Sequence, residues 1–337
     1  MGVRARGGID LGGTKIQAVL VDERNEVIGQ ARHPTPRDGG PQGVADELAA
    51  ALSEAAESAG VPAAELEGVG IGSPGEIDAA TGTVSQARNL PGWEGSFALG
   101  PALSRALGVE RVCVGNDVTV ATNAEFVLGV GAPYRSLLGV FWGTGVGGGV
   151  VLDGQVWDGR GSAGEIGHMV VKRGGAHCPC GRRGCMEAYA GRAAMEARAR
   201  ELQAEGRKTD LFHIMEQRGR ERLTSGIWAR ALKKDDPLAR ELVDRAIGAL
   251  GTAIASACNL LDVEAVVIGG GLGLRLGPDY LEALQREIDE HLFTIEHPPA
   301  VQIAQLGDLG GAIGAALLAA NPAGSANANA TERSTSR

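Results

Sequence analysis

Apolar positions along the chain fall into two recurring patterns. Short runs bounded by glycine or polar residues, Val69-Gly-Ile-Gly-Ser73, Val112-Cys-Val-Gly-Asn116 and Val263-Glu-Ala-Val-Val-Ile268, have the length of buried strands. Longer stretches with apolar residues three and four apart predict helices over 42–60, 98–107, 118–128, 278–292 and 311–320. The same spacing fills much of 186–260, with a break at Lys233-Lys-Asp-Asp236-Pro237, and 300–305 reads as a strand. Strands and helices in this arrangement describe an α/β protein. Residues 321–337, rich in Asn, Ala, Ser and Thr, carry no apolar stripe and are expected to be a disordered tail.

The N-terminal segment follows a different plan. Gly8-Ile-Asp10-Leu-Gly12-Gly13-Thr14-Lys15 leads into Ile16-Gln-Ala-Val-Leu-Val-Asp22 and then Asn25-Glu-Val-Ile-Gly29, a strand meander around a glycine turn. A P-loop or a dinucleotide fingerprint needs its glycines to open a helix, so neither fits. What remains is a turn whose amides and Thr14 hydroxyl can hold a phosphate, with Asp10 at the strand end placed to hold hydrated magnesium.

A second segment repeats this plan. Gly12-Gly-Thr-Lys-Ile-Gln-Ala-Val-Leu-Val-Asp22 and Gly143-Thr-Gly-Val-Gly-Gly-Gly-Val-Val-Leu-Asp153 share glycine turn, apolar strand and terminal aspartate over eleven positions. Two similar lobes, each presenting a phosphate-gripping turn to a shared cleft, are one reading. Two unrelated glycine hairpins are the other. Further loops follow strands, where α/β proteins keep their ligands: Ser73-Pro74-Gly75, Asn89-Leu-Pro-Gly-Trp93, Asn116-Asp117 and Gly269-Gly270-Gly271. For Asn116-Asp117, a helix N-cap and a general base are both open on the residues alone.

Cysteine placement changes the picture most. Three of the five cysteines, Cys178, Cys180 and Cys185, lie within eight residues, and His168 stands ten positions before the first. Three thiolates and an imidazole would close a tetrahedral zinc site, making the metal structural. His177 competes as a ligand but adjoins Cys178. Glu165 and Glu187 flank the loop, where a clamped backbone can aim them at a small polar ligand. Replacing Cys180 is then expected to loosen small-ligand binding or folding and to leave the phosphate turns unaffected. Cys113 and Cys258 sit in apolar contexts and read as buried small residues.

The totals exclude several classes. At 337 residues the chain calls for two lobes, and a net charge of −9 without a basic run argues against a nucleic-acid surface. No apolar run reaches membrane-spanning length and no signal-peptide core follows Met1, so a cytoplasmic protein is expected. The 53 glycines cluster in short runs rather than spreading through low-complexity sequence, as turns around phosphates or sugars require.

With these residues assembled, the chain resembles the ROK family of sugar kinases and repressors, within the actin-like and hexokinase-like (ribonuclease H-like) ATPase superfamily. Asp10-Leu-Gly-Gly-Thr-Lys15 and Gly143-Thr144-Gly145 are similar to its phosphate loops, Ile268-Gly-Gly-Gly271 to its adenosine site, and Glu165-x-x-His168 with C-x-C-G-x-x-G-C-x-E to its zinc signature. The resemblance implies two lobes about an interlobe cleft: 1–117 with a C-terminal helix at about 307–320, and 118–306 with the zinc loop. It implies ATP with Mg2+ and structural Zn2+ as cofactors, Asp117 as catalytic base, and a homodimer or homotetramer. Gly75, Asn89, Asn116, Asp117, Glu165, His168 and Glu187 would meet the sugar. Asp10, Gly12, Gly13, Thr14, Lys15, Gly143, Thr144, Gly145, Gly269, Gly270 and Gly271 would meet the nucleotide.

The Asn89 to Trp93 loop is similar to that of bacterial glucokinases, which implies glucose 6-phosphate as product. Lys15 resembles ATP-dependent members more than polyphosphate-dependent ones. Relatives acting on N-acetylmannosamine, N-acetylglucosamine, fructose or allose keep most of the same residues. A repressor of the family would carry a DNA-binding domain before the first loop, which here begins at Asp10, so nucleic acid is not expected as a partner. A non-catalytic sugar-binding protein would be expected to lose the base or the turns, and all are retained.

Overall fold

The computed structural model describes residues 4–87, 89–294 and 296–320. The tail expected at 321–337 lies outside them. The chain divides into two compact units, one formed by residues up to Ala132, Asp153–Ala163 and Gln305 onward, the other by Pro133–Leu152 and Gly164–Ala304.

The first unit is built on the meander. Strands β1 (Arg6–Leu11), β2 (Lys15–Val21) and β3 (Val27–Pro34) pair antiparallel, with Gly8 opposite Val19 and Ile9 opposite Ala18. Helix α1 (Gly40–Ser58) buries Val44, Leu48, Leu52 and Ala55, the i, i+4 stripe of an amphipathic helix. β4 (Val69–Ser73) then pairs parallel to β1. A small antiparallel sheet of β5 (Glu76–Asp78), β6 (Thr83–Ser85) and β7 (Ser96–Phe97) leads to α2 (Leu99–Leu107). β8 (Val112–Asn116) completes a five-stranded sheet in the order β3-β2-β1-β4-β8, and α3 (Asp117–Leu128) follows without a loop.

The second unit repeats the plan. β9 (Leu137–Trp142) and β10 (Val146–Leu152) form an antiparallel hairpin, and β11 (Gln155–Val156) lies in the short segment that groups with the first unit. Helices α4 (Glu187–Ala190), α5 (Arg192–Ala204), α6 (Leu211–Gln217), α7 (Ser225–Lys233) and α8 (Pro237–Leu261) come next. The break expected near Pro237 is the start of α8, where Asp236 accepts the Ala239 amide at 2.8 Å and Pro237 needs no donor. β12 (Ala265–Gly269) pairs parallel to β9, α9 (Gly270–Asp289) crosses over, and β13 (Ala300–Ile303) pairs parallel to β12. The order β10-β9-β12-β13 matches β2-β1-β4-β8, each a hairpin followed by two parallel strands. Four strands in the same order are more than two chance glycine hairpins would give.

Helix α10 (Gly310–Ala320) returns to the first unit and lies directly on its sheet. A Cβ on Gly8 would stand 2.0 Å from the Ala312 carbonyl oxygen, and one on Gly70 1.7 Å from that of Ala315. Only glycine in β1 and β4 admits a helix at that distance.

Three expectations are corrected. The boundary expected after Asp117 falls after Ala132, because α3 packs on α10: a Cβ on Gly314 would lie 2.3 Å from the Val120 carbonyl oxygen, and the buried Glu125 carboxylate accepts the Leu306 amide at 2.8 Å. The helix expected at 278–292 begins at Gly270, with Pro278 inside it. Its first turns are glycine-rich, which hid them, and Gly273 and Gly277 pack against Ile268 and Ile303 of the sheet. Cys258 is buried as expected, whereas Cys113 is half-buried.

Candidate functional site

In the first unit the chemistry gathers at the carboxyl ends of parallel strands. Asp10 stands opposite Gly72, Gly72 opposite Gly115, and Ser73 opposite Asn116, so the ends of β1, β4 and β8 are level. Ligands of open α/β sheets bind at this edge. The Gly12 amide donates to the Lys15 carbonyl at 2.9 Å and closes the first turn, and the buried Thr35 hydroxyl donates to the Gly12 carbonyl at 2.6 Å. A Cβ on Gly13 would stand 2.7 Å from the Asn89 carbonyl oxygen, so the first turn and the Asn89 loop abut. The Asn89 side chain is exposed, while Trp93 turns inward and meets Phe97 edge-on at 5.9 Å. Gly75 holds φ of 101°, which its close approach to the Ser85 carbonyl requires.

Asp10 is electrostatically loaded. Burial pushes its carboxyl from the ordinary 3.8 up to about 6, against the pull of Lys15 and with a push from Asp308. Lys15 Nζ lies 3.8 Å from an Asp308 carboxylate oxygen. A carboxylate that is costly to ionise alone is suited to a divalent cation.

Of the two roles left open by sequence, the structure assigns the helix cap to Asn116. The Asn116 side-chain oxygen Oδ1 accepts the Val118 and Thr119 amides, both at 3.1 Å, and Asn116 is the N-cap of α3. Asp117 is the first residue of the helix, half-buried, with one carboxylate oxygen 2.9 Å from the Val118 amide.

In the second unit the Gly143 amide donates to the Gly145 carbonyl at 2.9 Å and closes the second turn. It stands beside the glycines after β12, where a Cβ on Gly143 would lie 4.0 Å from the Gly271 nitrogen. Gly270, at φ of 79°, leaves no room for a side chain against Trp142. Helix α9 begins there, so its free amides and positive dipole end face the same edge.

The loop after β11 brings His168, Cys178, Cys180 and Cys185 together, with one donor atom of each within 4.8 Å of the others. His168 Nδ1 lies 3.7 Å from Cys178 Sγ, and Cys180 Sγ lies 3.7 Å from Cys185 Sγ. A tetrahedral zinc with bonds of about 2.3 Å to sulfur holds its ligands ~3.7 Å apart, so the set fits the ion. A disulfide would need ~2.0 Å between sulfurs. Burial pushes the Cys178 thiol up to about 12, whereas the Arg182 guanidinium holds Cys180 down to about 6. The other ring nitrogen, His168 Nε2, lies 3.9 Å from a Glu165 carboxylate oxygen. His177 is outside the four-residue set.

This loop and the second turn are not separate devices. Glu187, two residues after Cys185, accepts the Val146 amide at 2.9 Å, and a Cβ on Gly145 would stand 2.2 Å from the same oxygen. Trp142 Nε1 donates to the Ala190 carbonyl at 2.6 Å. These bonds give a change at Cys180 a route to the second turn. Sequence reasoning missed Thr35, Glu125 and Arg192, none of which stands in a glycine or cysteine motif.

Comparison with known proteins bears on this arrangement. A glucokinase of Halalkalibacterium halodurans is 33% identical over 310 residues, covering 91% of this chain and 92% of that protein. The N-acetylgalactosamine kinase AgaK of Shewanella sp. is 32% identical over 320 residues, covering 92% and 95%. Among solved structures, a ROK family glucokinase from Streptomyces griseus in complex with glucose and AMPPNP aligns with a TM-score of 0.77 at 30% identity, covering 93% of this chain and 98% of that one. The sequence matches the ROK family over residues 6–321, and the duplicated sheet, the paired glycine turns and the loop of one histidine and three cysteines all fall inside that span: the chain belongs to the ROK family.

Proposed function

We propose that this chain transfers the γ-phosphoryl group of ATP to a hexose, with glucose as substrate and glucose 6-phosphate as product. The observation that carries the reading is the division of labour at the end of β8, where Asn116 caps α3 and Asp117 places a carboxylate at the sheet edge that also bears Asp10 and the first glycine turn. Glucokinase relatives at about a third identity support the choice of reaction and sugar.

Asp117 takes the proton from the C6 hydroxyl as that oxygen attacks the γ-phosphorus, the bond to the β-γ bridging oxygen breaks, and ADP leaves. Phosphoryl transfer asks a protein chiefly for in-line positioning and charge neutralisation. Gly12 to Lys15 and Gly143 to Gly145 supply amides and hydroxyls for the phosphates, and Gly269 to Gly271 face the adenosine. Asp10 is the carboxylate that would hold a magnesium ion bound with the nucleotide, and the ion would offset phosphate charge. The proposed sugar contacts are Gly75, Asn89, Asn116 and Asp117 of the first unit and Glu165, His168 and Glu187 of the second. Since Asn116 Oδ1 is engaged by the α3 amides, its share falls to the side-chain nitrogen Nδ2.

His168, Cys178, Cys180 and Cys185 hold a structural zinc that fixes the loop between Glu165 and Glu187. Metal analysis of purified, unchelated protein should give one zinc per chain; a metal-free protein with normal sugar binding would end this reading. The N-acetylgalactosamine kinase relative favours a second reading in which the acceptor is an acetamido sugar. ATP consumption with glucose, mannose, fructose, N-acetylglucosamine and N-acetylmannosamine at low sugar concentration separates the two, since a pocket built around a 2-hydroxyl rejects the larger group.

A further inference from the structure

Beside the second turn stands a guanidinium to which no role has been assigned. Arg192 opens α5, and its amide donates to the Gly143 carbonyl at 3.1 Å while the Ala193 amide donates to that of Thr144 at 3.0 Å. Helix α5 is thereby pinned to the turn through its first free amides. The side chain continues the contact: Arg192 Nη2 donates to Thr144 Oγ1 at 2.6 Å, and Nη1 donates to the Leu223 carbonyl at 3.0 Å.

Both of these side-chain bonds end on neutral oxygens. The carboxylate that attracts Arg192, Glu196 one turn along α5, is occupied by others: it accepts from Arg200 Nη2 at 2.9 Å, from Arg222 Nε at 3.0 and 3.1 Å, and from the Leu223 amide at 3.0 Å. Burial lowers the Arg192 pKa, with Glu196 pulling the other way. A half-buried cation held by neutral acceptors at a glycine turn favours an anion beside it.

The Thr144 hydroxyl has one proton to give and two lone pairs. Once one lone pair is taken by a guanidinium, the hydroxyl is polarised as a donor and its proton points away from Arg192. We infer that Arg192 is a positioning residue for the nucleotide: it fixes Thr144 so that the hydroxyl donates to a phosphate oxygen, and it holds positive charge at the turn. The inference rests on the reading of Gly143-Thr144-Gly145 as a nucleotide phosphate turn.

The test is titration of the full chain with a nonhydrolysable ATP analogue and Mg2+, for the parent, Thr144→Val, Arg192→Met, Arg192→Lys and the Thr144→Val/Arg192→Met double variant, with glucose affinity measured separately. Loss of a charge-assisted hydrogen bond should weaken nucleotide binding roughly 10- to 100-fold in Arg192→Met and comparably in Thr144→Val. The double variant should be no weaker than the worse single one within about 2-fold, because the two residues act as one unit. Arg192→Lys keeps the charge but cannot span both acceptors, and should fall between parent and Arg192→Met. Glucose affinity without nucleotide should stay within about 3-fold of the parent, which a merely structural Arg192 would not ensure.

Parental nucleotide affinity in Arg192→Met beside weak binding in Thr144→Val would overturn the role of Arg192 and leave the turn standing. Parental affinity in both single variants would overturn the reading of the turn itself. Multiplied losses in the double variant would show independent action and end the coupling. If Arg192→Met does not fold, Arg192→Lys decides, and parental nucleotide affinity there refutes the inference.

Discussion

Replacing Asp10 with asparagine should make the metal-free protein more stable while abolishing most turnover. The carboxyl of Asp10 is raised from 3.8 to about 6 by burial, which outweighs the attraction of Lys15. The folded protein therefore binds more protons than the unfolded chain between those two values, and this group's contribution to stability falls as pH rises through the window. At pH 7 the full difference corresponds to ~3 kcal/mol. Because Asp10 is not fully enclosed, solvent screening reduces it, and about 1–3 kcal/mol is the expected gain for Asp10→Asn. At about 2 °C per kcal/mol, melting should rise by roughly 2–6 °C.

The assay is thermal melting in chelator from pH 4 to pH 8, parent against Asp10→Asn. The gap should be small at pH 4, where the folded-state carboxyl is protonated and the unfolded-state one only about half so, and should open through pH 6. Adding Mg2+ with ATP should raise the parent's midpoint and leave the variant's nearly unchanged. A gap of the same size at pH 4 and pH 7 would mean the gain is not electrostatic. No gap at pH 7 would refute the claim that a buried, ionised Asp10 strains the fold.

Further outcomes follow from other contacts. Asp117→Ala should lower kcat by about 10²- to 10⁴-fold, the usual share of a general base, with nucleotide affinity within a few-fold of the parent in titration. Cys180→Ala should lose zinc by metal analysis and weaken glucose binding. Through the Glu187–Val146 bond it should also weaken the nucleotide, and unchanged nucleotide affinity in a folded, zinc-free variant would show that the bond transmits nothing. Gly8→Ala puts a Cβ 2.0 Å from the Ala312 oxygen of α10 and should cost about 3 kcal/mol or more in urea unfolding; a loss under ~1 kcal/mol would mean that helix shifts freely.

Much of this was legible in the sequence because glycine and cysteine carry position-specific information. The Gly12 and Gly143 turns could be read since glycine runs that interrupt apolar strands mark turns, and their repeat anticipated the matching strand orders of the two units. The set of one histidine and three cysteines could be read from ligand type and spacing alone. Other features were hidden for physical reasons. Gly270, Gly273 and Gly277 have poor helix propensity, so the first turns of α9 resembled a loop, yet these glycines let it lie close to the sheet. The boundary at Ala132 depends on α3 packing on α10 nearly 200 residues later, a contact no local pattern reports. Asn116-Asp117 was ambiguous because capping and catalysis ask for the same residue types, and only the side-chain geometry assigns the cap to Asn116. Arg192 follows the cysteine loop as one arginine among many, and its partner Thr144 lies 48 positions away.

The central claim is that Asp117 activates a hexose hydroxyl for attack on ATP. Its most direct measurement is ATP consumption with Mg2+ and the five-sugar panel, run on the parent and on Asp117→Ala side by side. Strong preference for glucose in the parent, with turnover lost in the variant while glucose still binds, is the expected result. Near-normal turnover in Asp117→Ala, or no turnover of any sugar by the parent, would contradict it.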